Sequence, residues 1–423
     1  MAKMSKLEEL IKELCPNGVE YKTLGELGAF YGGLTGKSKN DFTDGNAKFI
    51  SYMNVYSNLA LNINMPDRVK VGNKEHQNTI QYGDVLFTGS SENTVECGMS
   101  SVLTIKTDEP LYINSFCFGY RFNDSELFSP NFTKYLFRSA ELRKQIIRTA
   151  SGVTRFNVSK KKMEKVVIPV PPMEVQREIV RILDNFTELT AELTAELTAR
   201  KKQYEYYRDE LLTFDDSVPM VKLGDVAVVT KLAGFEFTKY VNYSNKGNII
   251  ALRGLNVKNG ALDLTDVKYI DNSDLSKLSR SKLNIGDMLF TYVGTIGQVA
   301  LVDIKDKYYL APNVALIRST KEQLLPEYMK YYFQSSIFWN TQINRLLQLS
   351  SMKNIPMEKI RKFEIPLPSL EKQERIVSIL DRFDKLCNDI SIGLPAEIEA
   401  RKKQYEYYRD KLLTFKNIDS EAN

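Results

Sequence analysis

The sequence predicts α/β (mixed α+β) globular modules in tandem, separated by long antiparallel coiled-coil helices, with an internal pseudo-two-fold repeat. Three observations lead there. Residues 199–214 read ARKKQYEYYRDELLTF and return at 400–415 with one change, Glu210 for Lys411. The strand-like run Gly83-Asp84-Val85-Leu86-Phe87-Thr88 returns as Gly286-Asp287-Met288-Leu289-Phe290-Thr291. Apolar residues at coiled-coil spacing then follow each module, further than one globule can reach. So close a match marks a duplication, and because it is strongest in a helix, the two copies do one mechanical job twice.

Residues 1–18 hold a short helix over 4–14, with Leu7, Leu10, Ile11 and Leu14 on one face and Pro16-Asn17-Gly18 ending it. Residues 19–168 form the first module. Strands are expected at 48–55, 84–88, 101–106 and 112–122, rich in Val, Ile, Phe and Tyr, and a helix at 131–148. Residues 169–216 form a central spacer. Its helix runs from about 173 to 214, behind the phrase Ile168-Pro169-Val170-Pro171. Ile179, Ile182, Phe186, Leu189 and Leu193 keep the 3-4 spacing of a seam, and Leu197, Tyr204, Tyr207 and Leu211 continue it. Some forty residues of helix span roughly 60 Å.

Inside that helix Thr190-Ala191-Glu192-Leu193 is followed by Thr194-Ala195-Glu196-Leu197. Each unit adds about 6 Å, so the repeat either sets a distance or records slippage in the gene. Residues 217–365 form the second module, with Leu223-Gly224-Asp225 answering Leu24-Gly25-Glu26 and a helix near 326–347 answering 131–148. Residues 366–423 form the second spacer, seamed by Ile376, Ile379, Phe383, Leu386 and Ile390. Gly393-Leu394-Pro395 predicts a break in it. The two long helices are expected to pair with each other; a stripe packed on its own module is the alternative.

Composition is that of a globular chain, 43% hydrophobic and 26% charged, long enough at 423 residues for two or three domains. A net charge of +5 permits a polyanionic partner. No apolar run approaches a membrane span, and the amphipathic, charged start is unlike a signal peptide. Cys15, Cys97, Cys117 and Cys387 are scattered without a C-x-x-C pair and read as reduced thiols of a cytoplasmic protein. The single histidine, His76, lies in the polar run Asn73-Lys74-Glu75-His76-Gln77-Asn78 and reads as a solvated loop. That leaves no histidine-based acid and base, and no metal set.

Other enzyme signals fail on inspection. Gly36-Lys37-Ser38 ends like a phosphate-binding loop, but the glycine required five residues before Gly36 is Tyr31. Pro171-Pro172 stands between Val170 and Met173, without the amide and aromatic that an amino-methyltransferase loop needs. No carboxylate pair is placed for acid–base work. Composition therefore leans against a hydrolase.

Basic residues do cluster. Between 134 and 165 stand Lys134, Arg138, Arg143, Lys144, Arg148, Arg155, Lys160, Lys161, Lys162 and Lys165, against Glu141 and Glu164. The second copy offers Arg345, Lys353, Lys359, Arg361 and Lys362. Such residues suit phosphate oxygens, and loop Arg, Asn and Ser suit base edges. A solvated charge face is the alternative. The modules agree at turns and strands yet differ in the loop after the shared strand: Gly89-Ser90-Ser91-Glu92-Asn93-Thr94-Val95-Glu96-Cys97-Gly98 against Tyr292-Val293-Gly294-Thr295-Ile296-Gly297.

These features together resemble the specificity subunit of type I restriction-modification enzymes, over essentially the whole chain. The resemblance is carried by the tandem, the repeated strand and the TAEL units. The phrase IPVPPMEVQREIVRILD at 168–184, with its echo IPLPSLEKQERIVSILD at 365–381, adds to it. Gly152-Val153-Thr154 fits the family's Gly-x-Thr loop, whereas the second copy has Ser351-Met352-Lys353.

The resemblance implies target recognition domains that each read half of a bipartite site in double-stranded DNA, with a non-catalytic role in bacterial defence. It implies two modification subunits that methylate adenine with S-adenosylmethionine. It also implies two restriction subunits, translocase and nuclease, using ATP and magnesium. No cofactor is expected in this chain. Base-facing candidates are Ser90, Glu92, Asn93, Arg155 and Asn157 in the first module, and Tyr292, Thr295, Lys353 and Asn354 in the second. Lys160, Lys161, Lys162 and Lys359 are the phosphate candidates. A self-sufficient DNA adenine methyltransferase and a scaffold that binds only proteins are the competing readings.

Overall fold

The computed structural model describes residues 5–232, 239–348, 354–389 and 393–418. They fall into two units: residues 1–192 with 398–423, and residues 193–397.

Each unit builds the same strand plan. The first holds an antiparallel four-stranded sheet in the order Gly28–Gly32, Cys117–Phe122, Val85–Thr88, Ser100–Val102. The second repeats it with Ala227–Lys231, Val314–Ser319, Met288–Thr291, Val299–Leu301. A three-stranded sheet accompanies each. Its middle strand, Ala47–Ile50 or Ile250–Leu252, pairs in parallel with Leu111–Ile113 or Tyr308–Leu310. The repeated Leu-Phe-Thr strand is buried on both faces. Val85 and Phe87 point into one core cluster and Leu86 into another; Met288, Phe290 and Leu289 do the same in the second unit. Double burial explains why this strand reads as a continuous apolar run, without alternation.

The Gly-Asp that precedes it has its own physics. Gly83 and Gly286 take φ of +89° and +84°, which a side chain would resist. Asp84 then receives Arg121 in a two-pronged pair (Nε–Oδ1 2.8 Å, Nη2–Oδ2 2.6 Å) and the Tyr31 hydroxyl at 2.6 Å. Asp287 receives Arg318 the same way, at 2.7 and 2.6 Å. Both carboxylates are almost fully buried, so loss of either arginine would strand a buried charge.

Local structure departs from the sequence reading in four places, the first being the strand expected at 101–106, which is only Ser100–Val102. The stretch 48–55 leaves the sheet early, because Ser51 begins the helix Tyr52–Ser57. The stretch 112–122 is two strands in different sheets, turned at Asn114, whose side chain accepts the N–H of Phe116. The helix at 131–148 is Pro130–Leu136 and Ala140–Arg148, interrupted where the Ser139 hydroxyl donates to the Leu136 carbonyl; Ser335 repeats the break through Tyr332.

The central helix runs Met173–Leu211. Its start is fixed by Gln176, which is fully buried: it accepts from the Ser129 N–H and donates to the Leu127 and Pro171 carbonyls. Gln373 makes the matching three bonds in the second unit. The second spacer breaks as the sequence predicts, into Leu370–Asn388 and Leu394–Leu412. Pro395 falls in the first turn of the new helix, where its missing N–H is harmless.

The helices pair within each unit. Phe186 stacks on Tyr408 at 5.3 Å in the first. Tyr207 stacks on Phe383 at 5.8 Å in the second, while Cys387, one turn further, faces Lys201, so that pair is antiparallel. A second stripe packs on the module itself: Val175, Ile179 and Leu183 in one unit, Ile376 and Leu380 in the other. Both packings expected as alternatives thus coexist, on adjacent faces. Ile182, Leu197 and Phe383 are partly buried against the cores, and Leu189, Leu193 and Ile379 are half-buried outside them. Leu386 is 39% exposed, and Ile390 lies outside the described residues. The single 3-4 seam is corrected by Leu183 and Leu380: the module-facing stripe steps by four, which moves Ile182 and Ile379 off it.

Candidate nucleic-acid interface

The two divergent polar loops of the first module, 65 residues apart, meet in one small sheet. Ser90–Ser91 pairs with Phe156–Val158, which also pairs with Ala150–Ser151; Asn157 sits opposite Ser90, and Phe156 opposite Ser91. Ser90 is buried, and its hydroxyl accepts from Arg155 Nε at 3.1 Å. The guanidinium of Arg155 also lies 5.9 Å from the ring centroid of Phe116, which is itself exposed. Arg155, Asn157, Glu92 and Asn93 are exposed. Asn93 shapes its own turn, accepting the Val95 N–H at 2.9 Å. Four candidates are therefore exposed around one small sheet, while Ser90 holds Arg155 from beneath.

The second module repeats the juncture with less chain. Val293 bridges Asn354, and the Ile355 N–H donates to the Tyr292 carbonyl, as the Val158 N–H does to Gly89. Asn354 thus occupies the register of Asn157, and both are exposed. Thr295 is exposed at the loop tip, whereas Tyr292 is buried beneath Lys231. Lys353 lies outside the described residues. A cavity of about 720 Å³ adjoins this loop, lined among others by Tyr243, Arg253, Lys258, Thr295, Gln298 and Asn313. Of these only Thr295 was legible as a candidate. The left-handed backbone of Asn313 (φ +71°) depends on the fold and leaves little trace in sequence.

The basic cluster divides. Lys160, Lys161 and Lys162 are exposed on the short helix Lys160–Met163, and Lys359 is exposed on Met357–Arg361. Lys134, in contrast, is paired with Asp184 at 2.9 Å. Arg138 donates to the carbonyls of Ser100, Val55, Tyr56 and Asn58, and Arg143 to those of Val95, Cys97 and Gly98. Burial lowers both guanidinium pKa values to about 10, which still leaves them charged at neutral pH. Arg361 turns inward to the Val229 carbonyl. A face of ten cations was too many: Lys134, Arg138 and Arg143 serve the interior, because loop carbonyls and a carboxylate there need donors.

Lys37, the lysine of the phosphate-loop look-alike, is buried against Glu75 and the Lys70 carbonyl. His76 is exposed in its loop. Among the described residues no group of His, Cys, Asp and Glu is arranged to hold a metal, and no helix is long and apolar enough to cross a membrane.

The family model described as the type I restriction modification DNA specificity domain matches twice, over residues 16–200 and 216–400. A Haemophilus influenzae protein described as a type I restriction enzyme specificity subunit is 35% identical over 276 residues, covering 63% of this chain and 68% of that one. The EcoR124I/EcoR124II specificity subunit of Escherichia coli is 34% identical over 280 residues, covering 63% and 67%. A solved structure concerned with complex assembly and conformational transition of the type I system shares the fold. It covers 95% of this chain and 98% of that one, with a TM-score of 0.65 at 17% identity.

Proposed function

Because this chain belongs to the type I restriction-modification DNA specificity family, we propose that each of its two modules reads one half of a bipartite target in double-stranded DNA. Membership gives the chain the DNA-specificity role, which is non-catalytic. The observation that carries the two-half reading is the register shared by Asn157 and Asn354. One scaffold position presents an exposed amide in each module, and the side chains around it differ.

The chemistry comes from those side chains. An arginine fork fits guanine, an amide fits adenine, and a carboxylate accepts from the cytosine amino group. Arg155, Asn157, Glu92 and Asn93 supply these groups in the first module, and Asn354, Thr295 and Lys353 in the second. Lys160, Lys161, Lys162 and Lys359 hold phosphates and give the affinity its salt dependence. The recognition modules are 19–168 and 217–365, and the spacers 169–216 and 366–423 set the gap.

The spacers also dock two modification subunits, and through them two restriction subunits. S-adenosylmethionine, ATP and magnesium belong to those partners, and the complex works in the cytoplasm. Mapping adenine methylation in cells expressing the complex tests the reading. The expected motif is two short specific blocks separated by an unspecified gap; one unbroken motif would overturn it.

A further inference from the structure

The loop after the shared strand has ten residues in the first module, 89–98, and six in the second, 292–297. Both are closed by the same device. The Thr88 hydroxyl accepts the Met99 N–H at 2.9 Å, and the Thr291 hydroxyl accepts the Gln298 N–H at 2.9 Å. The longer loop turns three carbonyls toward the helix Ala140–Arg148, and Arg143 meets all three: Gly98 at 2.5 Å, Cys97 at 2.6 Å and Val95 at 2.9 Å. Only a guanidinium carries enough donors, rigidly splayed, to serve three oxygens from one side chain.

The loop also rests directly on the helix Ala140–Arg148. A Cβ on Gly98 would stand 2.6 Å from Ile146, one turn beyond Arg143. Cys97 adds a tie to the other reading strand, its thiol lying 3.2 Å from the Phe156 carbonyl. The helix is held in turn by Asp410, which accepts the Ala140 N–H. In the second module the corresponding helix position is Trp339, 196 residues later, just as Pro326 corresponds to Pro130. There the contact is steric: a Cβ on Gly297 would stand 2.4 Å from the Trp339 ring.

We propose that this one helix position sets the reading loop of each module, making Arg143 a positioning residue for the first half-site and Trp339 for the second. Arg143 touches no DNA in this scheme. It fixes where Glu92 and Asn93 stand, and burying a cation against carbonyls is the cost of holding a long loop still. The inference rests on the two-half reading of the target.

The test uses the full chain with its modification subunits and duplexes varied in one half-site at a time. Arg143→Lys is expected to lower discrimination at the first half-site roughly tenfold, about one good base contact. Discrimination at the second half-site, and the slope of log affinity against log salt, should stay as they are. Trp339→Leu is the mirror case, relaxing the second half-site alone. A slope shallower by about one, with uniform loss over all sequences, would identify Arg143 as a phosphate contact and overturn the proposal. Unchanged discrimination at the first half-site with Arg143→Lys would overturn it too, as would both variants relaxing both halves equally. If the unaltered complex shows no bipartite preference, the underlying reading fails instead.

Discussion

Asp410 accepts the backbone N–H of Ala140 at 2.9 Å, across 270 residues of chain. Asp209, its counterpart in the repeated helix, accepts the N–H of Ser336 at 3.0 Å and the Ser336 hydroxyl at 2.5 Å. Each repeated helix thus caps a helix inside a module, satisfying an N–H that has no partner within its own helix. Asp410→Ala is expected to cost about 1 kcal/mol. Amide exchange at Ala140 should quicken in that variant, and Asp209→Ala should do the same at Ser336. Unchanged protection at both amides would show that the caps add nothing.

The TAEL units stand where length can change cheaply. Leu189 and Leu193 lie outside the core clusters, Leu197 packs half-buried against one at a place Leu193 would take over, and Thr198 bonds back to the Thr194 carbonyl within the helix. Removing Thr194-Ala195-Glu196-Leu197 shortens the helix by about 6 Å and rotates its C-terminal part by roughly 40°. That rotation is close to the twist between neighbouring base pairs, given about 10.5 per turn. The preferred gap between half-sites should therefore change by about one or two base pairs. Methylome sequencing that returned the original gap at full activity would remove the spacer from this role.

The repeated helix keeps identity where packing does not require it. Tyr206 and Tyr407 are 64% and 61% exposed, each edge-on to the next tyrosine at 5.4 and 5.3 Å. Lys202 and Lys403 precede them by one turn and are also exposed. Exposed aromatics of this kind are frequent anchors in interfaces. Tyr206→Ala or Tyr407→Ala alone should leave one modification subunit bound, and the double variant none, by native mass spectrometry. Two subunits retained on the double variant would place docking elsewhere.

Acid should loosen the N-terminal helix. Glu178 is buried and receives Arg181 at 2.7 Å, with Lys6 of the first helix at 3.4 Å. The hydrogen bonds from Arg181 hold its carboxyl below the usual 4.5, with the charges of Arg181 and Lys6 adding to the effect. A depressed folded-state pKa means stability that is present above the unfolded value and fades as pH falls through the lower one. Glu178→Gln should therefore lower the melting temperature at pH 7, and the difference should shrink below about pH 4.5. A pH-independent difference would assign the loss to packing.

How far the sequence could be read depends on the range of the forces involved. The duplication, the doubly buried strand and the break before Pro395 are written in neighbouring residues, and the fold repeats them. Ser139 and Ser335 interrupt helices whose apolar period runs on through them, so periodicity alone joins the pieces. Ser90 and Arg155 were each legible as polar loop residues, but their contact spans 65 positions and appears only in the sheet. Arg143 is the sharpest case. In sequence it is one more cation among ten, and only the carbonyls it faces turn it inward.

The grip of Arg143 on Val95, Cys97 and Gly98 also bears on inheritance. On this proposal, exchanging one loop alone should not carry a target across, since a ten-residue segment moved onto the second module would meet Trp339, whose single indole N–H cannot serve three carbonyl oxygens. Transplants between such modules should succeed only when the loop and its helix anchor travel together, so the heritable unit of recognition is a pair of segments some fifty residues apart.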